Sequence, residues 1–347
     1  MNNVKAWAAF DPKSPLKPHT INRREPHATD VLIEIKFCGV CHSDLHQVKD
    51  EWGGSTFPMV PGHEIVGIVK QIGPNVKKYK VGDKVGVGCM VDSCQVCHEC
   101  KKGFEQFCVE GSTMTYNGLE RDGKSITYGG YSTHVTVREE FVLKIPDTLP
   151  LDATAPLLCA GITTYSPLRH WNAGPGKKVA VMGLGGLGHM AVKIAKAMGA
   201  DVSVLSHSEN KKNDALKLGA HNFYSTKNEQ TFTDLASSFD IIINTVSAPI
   251  DWNMYLQLLR RDGTMVVLGI PTEAIPIHAF SILSNRRSLA GSPIGGIAET
   301  QEMLDFCAQH NIVSDIEKIR MDEINTAYER MLKGDVKYRF VIDLETI

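Results

Sequence analysis

Residues 177–199 read KKVAVMGLGGLGHMAVKIAKAMG, an apolar strand followed by a glycine-rich turn and a helix. A strand before and a helix after are the context in which a G-x-G-x-x-G turn binds a dinucleotide. The first glycine permits the tight turn, the second lets backbone approach a pyrophosphate, and the third lets the helix pack closely on the strand. The pyrophosphate would lie at the helix N-terminus, where free N–H groups favour negative charge. The predicted contacts are Gly183, Gly185, Gly186, Leu187 and Gly188.

Strands and helices continue to alternate after this turn. The strand segments at 201–206, 239–246 and 263–270 are continuous apolar runs, as expected for a parallel sheet that helices cover on both faces. We therefore predict an α/β region built on a doubly wound parallel sheet.

The flanking regions have a different pattern. Residues 4–145 contain short alternating strands separated by Gly, Pro, Asn and Asp, which predicts a β-rich domain. After residue 291, two helical segments precede KYRFVIDL at 337–344, a strand that we expect to rejoin the first domain. The predicted domains are 1–152, 153–291 and 292–347, with the last segment completing the first domain.

The end of the second strand of the α/β region bears on which dinucleotide binds. An acid at this point binds the adenosine ribose and repels a 2′-phosphate, as in NAD-binding proteins. Here the strand ends at Ser206 and is followed by His207, Ser208 and Lys211. Hydroxyl groups with a nearby ammonium suit a phosphate, so the sequence favours NADP(H) over NAD.

Composition excludes several classes of function. Of the 347 residues, 43% are hydrophobic, and 37 Lys and Arg balance 39 Asp and Glu. Such a chain has no global positive charge to attract nucleic acid or anionic lipid. No apolar run approaches the length that spans a bilayer, and the N-terminal segment resembles no signal sequence. We therefore expect a cytoplasmic protein without nucleic-acid or membrane partners.

Nine cysteines in a reducing compartment require an explanation other than disulfides. Four of them have the spacing C-x2-C-x2-C-x7-C within 92–108, in a lobe that we place at about 89–110: Cys94, Cys97, Cys100 and Cys108. Four thiolates close a tetrahedral shell, so a zinc ion here would be structural. An iron–sulfur cluster, which also takes four cysteines, is the alternative.

A second group is dispersed along the chain. Cys41, His63 and Cys159 together offer a mixed ligand set that leaves a fourth tetrahedral position for water or substrate. Their spacing alone does not establish that they meet. Cys38, Cys89 and Cys307 are interpreted as ordinary apolar positions.

With these features the chain resembles the zinc-dependent medium-chain alcohol dehydrogenases, most closely the cinnamyl alcohol dehydrogenase branch. Six segments match in order over nearly the whole length: GVCHSDLH (39–46), PMVPGHEIVG (58–67), the four-cysteine segment, PLLCAGITTY (156–165), GLGGLGH (183–189) and KYRFVIDL. The resemblance implies a GroES-like β-rich catalytic domain, a Rossmann NADP-binding domain, and one catalytic and one structural zinc ion. It also implies reversible hydride transfer between NADP(H) and an alcohol/aldehyde pair.

The resemblance assigns expected roles around the catalytic zinc. Cys41, His63 and Cys159 match its ligands, and Glu64 matches a carboxylate that replaces the zinc-bound water in some members. Asp44 matches the acid that orients the histidine ligand. Ser43 and His46 match the residues of a proton relay that runs through the nicotinamide ribose.

Other matches concern the cofactor and the structural metal. Cys94, Cys97, Cys100 and Cys108 match the structural zinc ligands. Ser206, Ser208 and Lys211 fall where NADP-using members hold the 2′-phosphate, whereas His207 replaces a serine often found there. Thr163 and Arg339 match contacts to the nicotinamide and the pyrophosphate.

Substrate and assembly are less closely specified. Trp52 and Phe57 precede the PGHE motif and are expected to line an apolar entrance that suits aromatic or medium-length primary aldehydes. The resemblance implies a homodimer paired through the edge of the Rossmann sheet. Three alternatives remain open: an NAD-dependent polyol or secondary-alcohol dehydrogenase, a non-catalytic binding protein of the same fold, and a redox switch at the four cysteines.

Overall fold

The computed structural model describes residues 3–271 and 273–347, which form two compact units. One unit extends to Cys159 and includes Gly295–Ile347, and the other is Ala160–Ile294. The chain thus changes unit after 159 and after 294, compared with the domain boundaries at 152 and 291 that the sequence predicts.

The first stretch of the chain is rich in strands. Its elements are β1 (Val4–Ala8), β2 (Lys17–Ile21), β3 (Asp30–Gly39), α1 (His42–Val48), β4 (Ile65–Ile72), β5 (Lys84–Val87), β6 (Met90–Asp92), α2 (His98–Lys101), β7 (Thr113–Met114), β8 (His134–Arg138), β9 (Leu143–Lys144) and α3 (Leu151–Thr154). Short 3-10 helices lie at Glu105–Phe107, Glu139–Phe141 and Ala155–Leu158.

The second unit alternates helices and strands. Its elements are α4 (Ala160–His170), β10 (Lys178–Met182), α5 (Gly186–Ala197), β11 (Asp201–Ser206), α6 (Lys212–Leu218), β12 (Asn222–Ser225), α7 (Gln230–Asp234), β13 (Phe239–Asn244), α8 (Trp252–Gln257), β14 (Leu259–Val267), α9 (Ala279–Leu283) and β15 (Ser288–Gly291), with a 3-10 helix at Glu209–Lys211. The final stretch contains α10 (Ile297–Gln309), β16 (Ile316–Arg320), α11 (Ile324–Leu332) and β17 (Arg339–Asp343), with 3-10 helices at Met321–Glu323 and Leu344–Thr346.

The sheet of the second unit has the order β12-β11-β10-β13-β14-β15, and every pairing in it is parallel. This confirms the predicted doubly wound sheet. The strand order reverses beside β10, and the crevice at the carboxyl ends of the strands at such a point is where this architecture binds ligands. The glycine-rich turn follows β10 directly and therefore lies at that crevice.

The larger sheet of the first unit has the order β16-β17-β3-β4-β5-β9, with β8 paired to β3. The C-terminal strand β17 pairs antiparallel with β3, so the end of the chain lies in the sheet of the first unit. Fully buried side chains such as Ile33, Ile65, Phe141 and Phe340 form its core. Within the described part of the chain, no helix is long and apolar enough to cross a bilayer.

The pairing of β3 with β4 sets the position of the dispersed metal-ligand candidates. Cys38, near the end of β3, is the partner of Ile65, the first residue of β4. Cys41 follows β3 and His63 precedes β4, so this register brings their loops to the same end of the sheet. The 3-10 helix Ala155–Leu158 ends directly before Cys159.

Candidate metal centre and cofactor site

The backbone at Cys41 is fixed by the start of α1. Its N–H donates to Oδ2 of Asp44 at 2.9 Å, and its carbonyl accepts from the Asp44 N–H at 3.1 Å. This reciprocal pair satisfies backbone groups that a helix start leaves open. The Cys41 side chain is therefore held at the N-terminal end of α1, and the Cys41 residue is buried.

The same carboxylate orients the predicted histidine ligand. Oδ1 of Asp44 lies 3.0 Å from Nδ1 of His63 and 3.1 Å from the backbone nitrogen of Gly62. Because a carboxylate only accepts, Nδ1 of His63 donates, which leaves Nε2 with its lone pair available to a metal ion. This geometry agrees with the orienting role expected of Asp44.

The dispersed candidates come together in the structure. One ligand atom from each of Cys41, His63, Glu64 and Cys159 lies within 4.8 Å of the others, and all four residues are buried. The sulfur atoms of Cys41 and Cys159 are 3.9 Å apart. Two thiols and an imidazole are donors that zinc prefers, and three such ligands leave a position for water or substrate.

The charges in this cluster suit a cation. The hydrogen bond from Cys159 and the positive charge of Arg339 hold the pKa of Cys41 well below its usual range, against the effect of burial. Burial raises the pKa of Glu64 to about 8, although Arg339 opposes the shift. Oε2 of Glu64 is buried and has no hydrogen-bond partner among the described residues. A thiol that ionises readily beside an unsatisfied buried carboxylate oxygen fits a bound divalent metal ion.

Arg339 occupies a place in the first unit that the sequence did not indicate. Its guanidinium forms a buried ion pair with Glu64, and its Nη1 lies 4.0 Å from the sulfur of Cys41. Arg339 is 4% exposed. The structure thus places this side chain against the metal-ligand cluster, while its contact with a pyrophosphate stays a prediction.

The predicted proton relay and entrance residues lie around α1. Oγ of Ser43 is 3.6 Å from the sulfur of Cys41. His46 is hydrogen-bonded to Glu51, and its ring stacks on Trp52 with 5.0 Å between centroids. Trp52 is 41% exposed, and Phe57 is partly buried. Trp52 is therefore packed against His46.

Cys89 is buried, and besides filling an apolar position it contacts one of the metal-ligand candidates. Cys89 follows β5, whose Val87 pairs with Ile65, so it arrives at the same end of the sheet as Cys41 and His63. Its thiol is hydrogen-bonded with that of Cys159, and this contact lowers the pKa of Cys89 against the effect of burial. No sequence motif indicates this neighbour, but the register of β4 with β5 would have done so.

The four clustered cysteines also meet, with one sulfur atom from each within 4.8 Å of the others: Cys94, Cys97, Cys100 and Cys108. Backbone N–H groups donate to three of these sulfurs. The N–H of Cys97 donates to Cys94 at 3.4 Å, that of Cys100 to Cys97 at 3.5 Å, and that of Cys94 to Cys108 at 3.4 Å. Such bonds stabilise thiolates and orient them as metal ligands.

The pKa values in this cluster are uneven. Backbone hydrogen bonds from Cys100 and Val109 lower the pKa of Cys97 to about 6. Burial raises the pKa of Cys100 to about 12. A divalent ion would offset the cost of ionising the more buried thiol, because metal binding displaces the thiol proton. The four sulfurs leave no open position, which suits a structural ion.

The glycine-rich turn has the geometry that its three roles require. Gly183 has a φ of +83°, in the region that favours glycine, and a side chain at Gly188 would collide with the carbonyl of Gly183. Gly185 differs, since its φ of −116° suits any residue and nothing lies within 4 Å of the place where its Cβ would stand. Its missing side chain therefore leaves open space at the N-terminus of α5, which fits a dinucleotide pyrophosphate.

The proposed 2′-phosphate contacts lie where β11 ends. Ser206 is buried, and its Oγ accepts from the N–H of Ser208 at 3.1 Å. His207 and Ser208 are exposed, and Lys211 closes the short 3-10 helix that follows. Thr163 lies in α4 of the same unit and is 9% exposed. The contacts of these residues with the cofactor stay predictions.

Two family descriptions match this chain. Residues 27–147 match the alcohol dehydrogenase GroES-like domain, and residues 186–309 match the zinc-binding dehydrogenase family.

Whole-length relatives agree with these matches. "NADP-dependent alcohol dehydrogenase C 1" of Mycolicibacterium smegmatis is 59% identical, covering 100% of this chain and 99% of the relative. "Aldehyde reductase YahK" of Escherichia coli is 56% identical over 99% of both chains. Among solved structures, a cinnamyl alcohol dehydrogenase from Helicobacter pylori complexed with NADP(H) has a TM-score of 0.93 at 44% identity, covering 99% of both chains.

These matches confirm the predicted fold class, with a GroES-like domain and a Rossmann-like dehydrogenase domain. They agree with a metal centre built from donors that zinc prefers and with a glycine turn open to a pyrophosphate. The chain belongs to the zinc-binding alcohol dehydrogenases, in the branch that contains the cinnamyl alcohol dehydrogenases.

Proposed function

We propose that the protein interconverts primary alcohols and aldehydes at a zinc ion held by Cys41, His63 and Cys159, with NADP(H) as the hydride carrier. The observation that carries this proposal is the buried cluster whose ligand atoms lie within 4.8 Å of one another. The predicted enzyme class and the predicted use of zinc and NADP(H) are confirmed by the family matches and by the relatives. The residue roles that follow are proposals.

Each cofactor supplies one part of the chemistry. A zinc ion acts as a Lewis acid on the substrate oxygen, which polarises an aldehyde or lowers the pKa of an alcohol. NADPH supplies the hydride, and the protein supplies orientation and electrostatics.

The chain's own residues prepare the site. Oδ1 of Asp44 lies 3.0 Å from Nδ1 of His63. This contact holds the imidazole in the tautomer that carries its proton on Nδ1 and leaves Nε2 free to bind a metal ion. Arg339 brings a positive charge beside Glu64 and Cys41, so the cluster carries less negative charge than its donors alone would give. In the reducing direction, Ser43 would donate a proton to the substrate oxygen, and a proton that His46 takes up from solvent would restore the Ser43 hydroxyl. The ring of His46 is held for that task by Glu51 and Trp52.

The second zinc ion, at the four-cysteine cluster, stabilises its lobe instead of reacting. Few large side chains in this lobe are buried, and Val96, Phe107 and Val109 are exposed. A lobe with so little apolar burial depends on the metal ion for its fold.

For the cofactor, we expect kcat/KM to be higher with NADPH than with NADH. Replacing Lys211 with alanine should raise KM for NADPH about tenfold and leave KM for NADH nearly unchanged, because one charge-assisted contact to the 2′-phosphate is lost. Lys212→Ala, one residue further on and exposed, is the matched control. Initial rates of oxidation of the two cofactors measure this, and equal losses with both would refute a phosphate contact at Lys211.

The open space at Gly185 leads to a second prediction, which concerns cofactor binding. Gly185→Ala should leave the thermal midpoint unchanged, since the added methyl meets nothing within 4 Å. KM for NADPH should rise at least about tenfold, because the methyl occupies the space expected for the pyrophosphate. Gly174→Ala, whose new methyl would meet only the carbonyl of Met198 at 3.5 Å, is the control. Unchanged cofactor binding in Gly185→Ala would place the pyrophosphate elsewhere.

For the substrate, we propose aromatic or medium-length primary aldehydes and their alcohols, bound near Trp52 and Phe57. Support comes from relatives that are named aldehyde reductase and probable cinnamyl alcohol dehydrogenase. NADPH oxidation with cinnamaldehyde, benzaldehyde, butanal and a ketone in parallel tests this. The highest kcat/KM with the ketone would instead favour the secondary-alcohol alternative.

Location and assembly are proposals of the same kind. We propose a cytoplasmic homodimer that pairs through β15, the edge strand of the parallel sheet. An unpaired edge strand offers N–H and C=O groups to a second copy. Light scattering on the purified protein gives the mass, and a monomer would contradict the proposal.

A further inference from the structure

The carboxylate of Asp44 is fully buried and receives hydrogen bonds on both of its oxygens. On Oδ1 the donors are Gly62 N and His63 Nδ1, at 3.1 and 3.0 Å. On Oδ2 they are Cys41 N and the hydroxyl of Tyr131, at 2.9 and 3.4 Å. Three of these donors belong to the loops that carry the metal ligands, and Tyr131 comes from elsewhere in the unit.

Tyr131 also packs on the loop that carries His63. Its N–H donates to the carbonyl of Pro61 at 3.0 Å, and the neighbouring Gly130 N–H donates to the carbonyl of Gly62 at 2.8 Å. A side chain on Gly62 would stand 2.7 Å from Cδ1 of the Tyr131 ring, so the ring lies directly against this glycine. Tyr131 is 0% exposed. It therefore touches the histidine loop by its backbone and ring, and Asp44 by its hydroxyl.

A second tyrosine supports the first. The hydroxyl of Tyr328, in α11, donates to the hydroxyl of Tyr131 at 3.4 Å. The order of donation is fixed because Asp44 only accepts, so the Tyr131 proton points to Asp44 and its oxygen accepts from Tyr328. Burial and the charge of Asp44 raise the pKa of both tyrosines, which keeps them protonated. The C-terminal segment thereby contributes to the surroundings of His63.

We propose that Tyr131, held by Tyr328, is a positioning residue for the catalytic zinc: its hydroxyl fixes the Asp44 carboxylate, which in turn fixes the ring of His63. This inference rests on the proposed metal centre. Partners that orient a metal-bound histidine typically contribute 10–100-fold to metal affinity. Tyr131 acts one hydrogen bond further from the ion than Asp44 does. We therefore expect its contribution to zinc affinity to be near the lower end of that range, about tenfold.

The test uses the zinc-loaded, full-length protein and does not depend on activity. Zinc is withdrawn by a coloured chelator, and the release of each ion is followed over time. We expect Tyr131→Phe to release one of the two zinc ions about tenfold faster than the wild-type protein does. Tyr328→Phe should release the same ion with a smaller increase in rate. The release rate of the other ion should not change in either variant. Tyr79→Phe is the matched control, since its hydroxyl donates to the carbonyl of Val142 at 2.5 Å, in contact with neither Asp44 nor His63.

The outcomes distinguish a failure of the proposed metal centre from a failure of the positioning role of Tyr131. If the wild-type protein binds only one zinc ion and Cys41→Ala still binds it, the proposed metal centre itself is wrong. If it binds two and both tyrosine variants release them at the wild-type rate, the positioning role is wrong and the metal centre stands. Equal acceleration of both ions, or an equal effect in Tyr79→Phe, would indicate general destabilisation and would also overturn the positioning role. Should Tyr131→Phe fold poorly, Tyr328→Phe carries the same test.

Discussion

Cys41→Ala is expected to lower kcat/KM for NADPH-dependent aldehyde reduction by at least about a thousandfold, equivalent to roughly 4 kcal/mol of transition-state stabilisation. The variant loses one of the three ligands that surround the open metal position. The two remaining ligands are His63 and Cys159, whose sulfur lies 3.9 Å from that of Cys41 in the wild-type protein. Two ligands do not complete the binding site. The metal content should fall from two zinc ions to one per chain, while the thermal midpoint changes little. Elemental analysis and initial rates on the same samples measure both quantities.

Cys307→Ala is the matched control for this substitution. Cys307 is fully buried in α10, where its thiol contacts the sulfur of Met303 at 3.6 Å. Its replacement removes a buried thiol without touching either metal cluster, so activity and both zinc ions should be retained. A Cys41→Ala enzyme with wild-type turnover would rule out the proposed catalytic ligand set.

Cys100→Ala should affect stability instead of chemistry. The sulfur of Cys100 lies 3.9 Å from that of Cys94, and Cys100 is the more buried of the two. Losing it opens the four-sulfur shell, and the lobe then loses the metal on which its fold depends. A loss of about 4 kcal/mol, typical of a disrupted metal site, would lower the thermal midpoint by roughly 10 °C. Differential scanning calorimetry and limited proteolysis of residues 94–121 measure the change.

His98→Ala is the control in the same lobe. His98 is exposed and forms an ion pair with the adjacent Glu99, so its loss should leave the zinc bound and the midpoint unchanged. If Cys100→Ala lost one metal ion but melted like the wild-type protein, the structural role of the cluster would be refuted.

The features that the sequence predicts well are those encoded within short segments. The strand, turn and helix around Gly183 and Gly188 are contiguous, and each glycine has a local steric reason. The four lobe cysteines also lie close together in sequence, so their spacing alone indicates a shared ion. Ordinary pairing of consecutive strands then places Cys41 beside His63.

The features that the sequence does not predict depend on contacts between distant segments. Arg339 lies 275 residues from Glu64 along the chain, and only the pairing of β17 with β3 brings the two together. Cys89 reaches Cys159 through the register of β5, which no motif encodes. Tyr131 contacts Asp44, and Tyr328 contacts Tyr131, only through the packing of the fold, and in the sequence they resemble any core tyrosines.

The most direct test of the central claim follows zinc content and the rate of aldehyde reduction by NADPH on the same protein samples, as a chelator withdraws zinc and added zinc restores it. If a zinc ion at Cys41, His63 and Cys159 carries the reaction, the rate falls in proportion to the loss of one of the two bound ions and returns when that ion is restored. Reduction that persists after this ion is gone would contradict the account. A rate that follows the oxidation state of the thiols at constant zinc content would contradict it too, and would favour a redox switch.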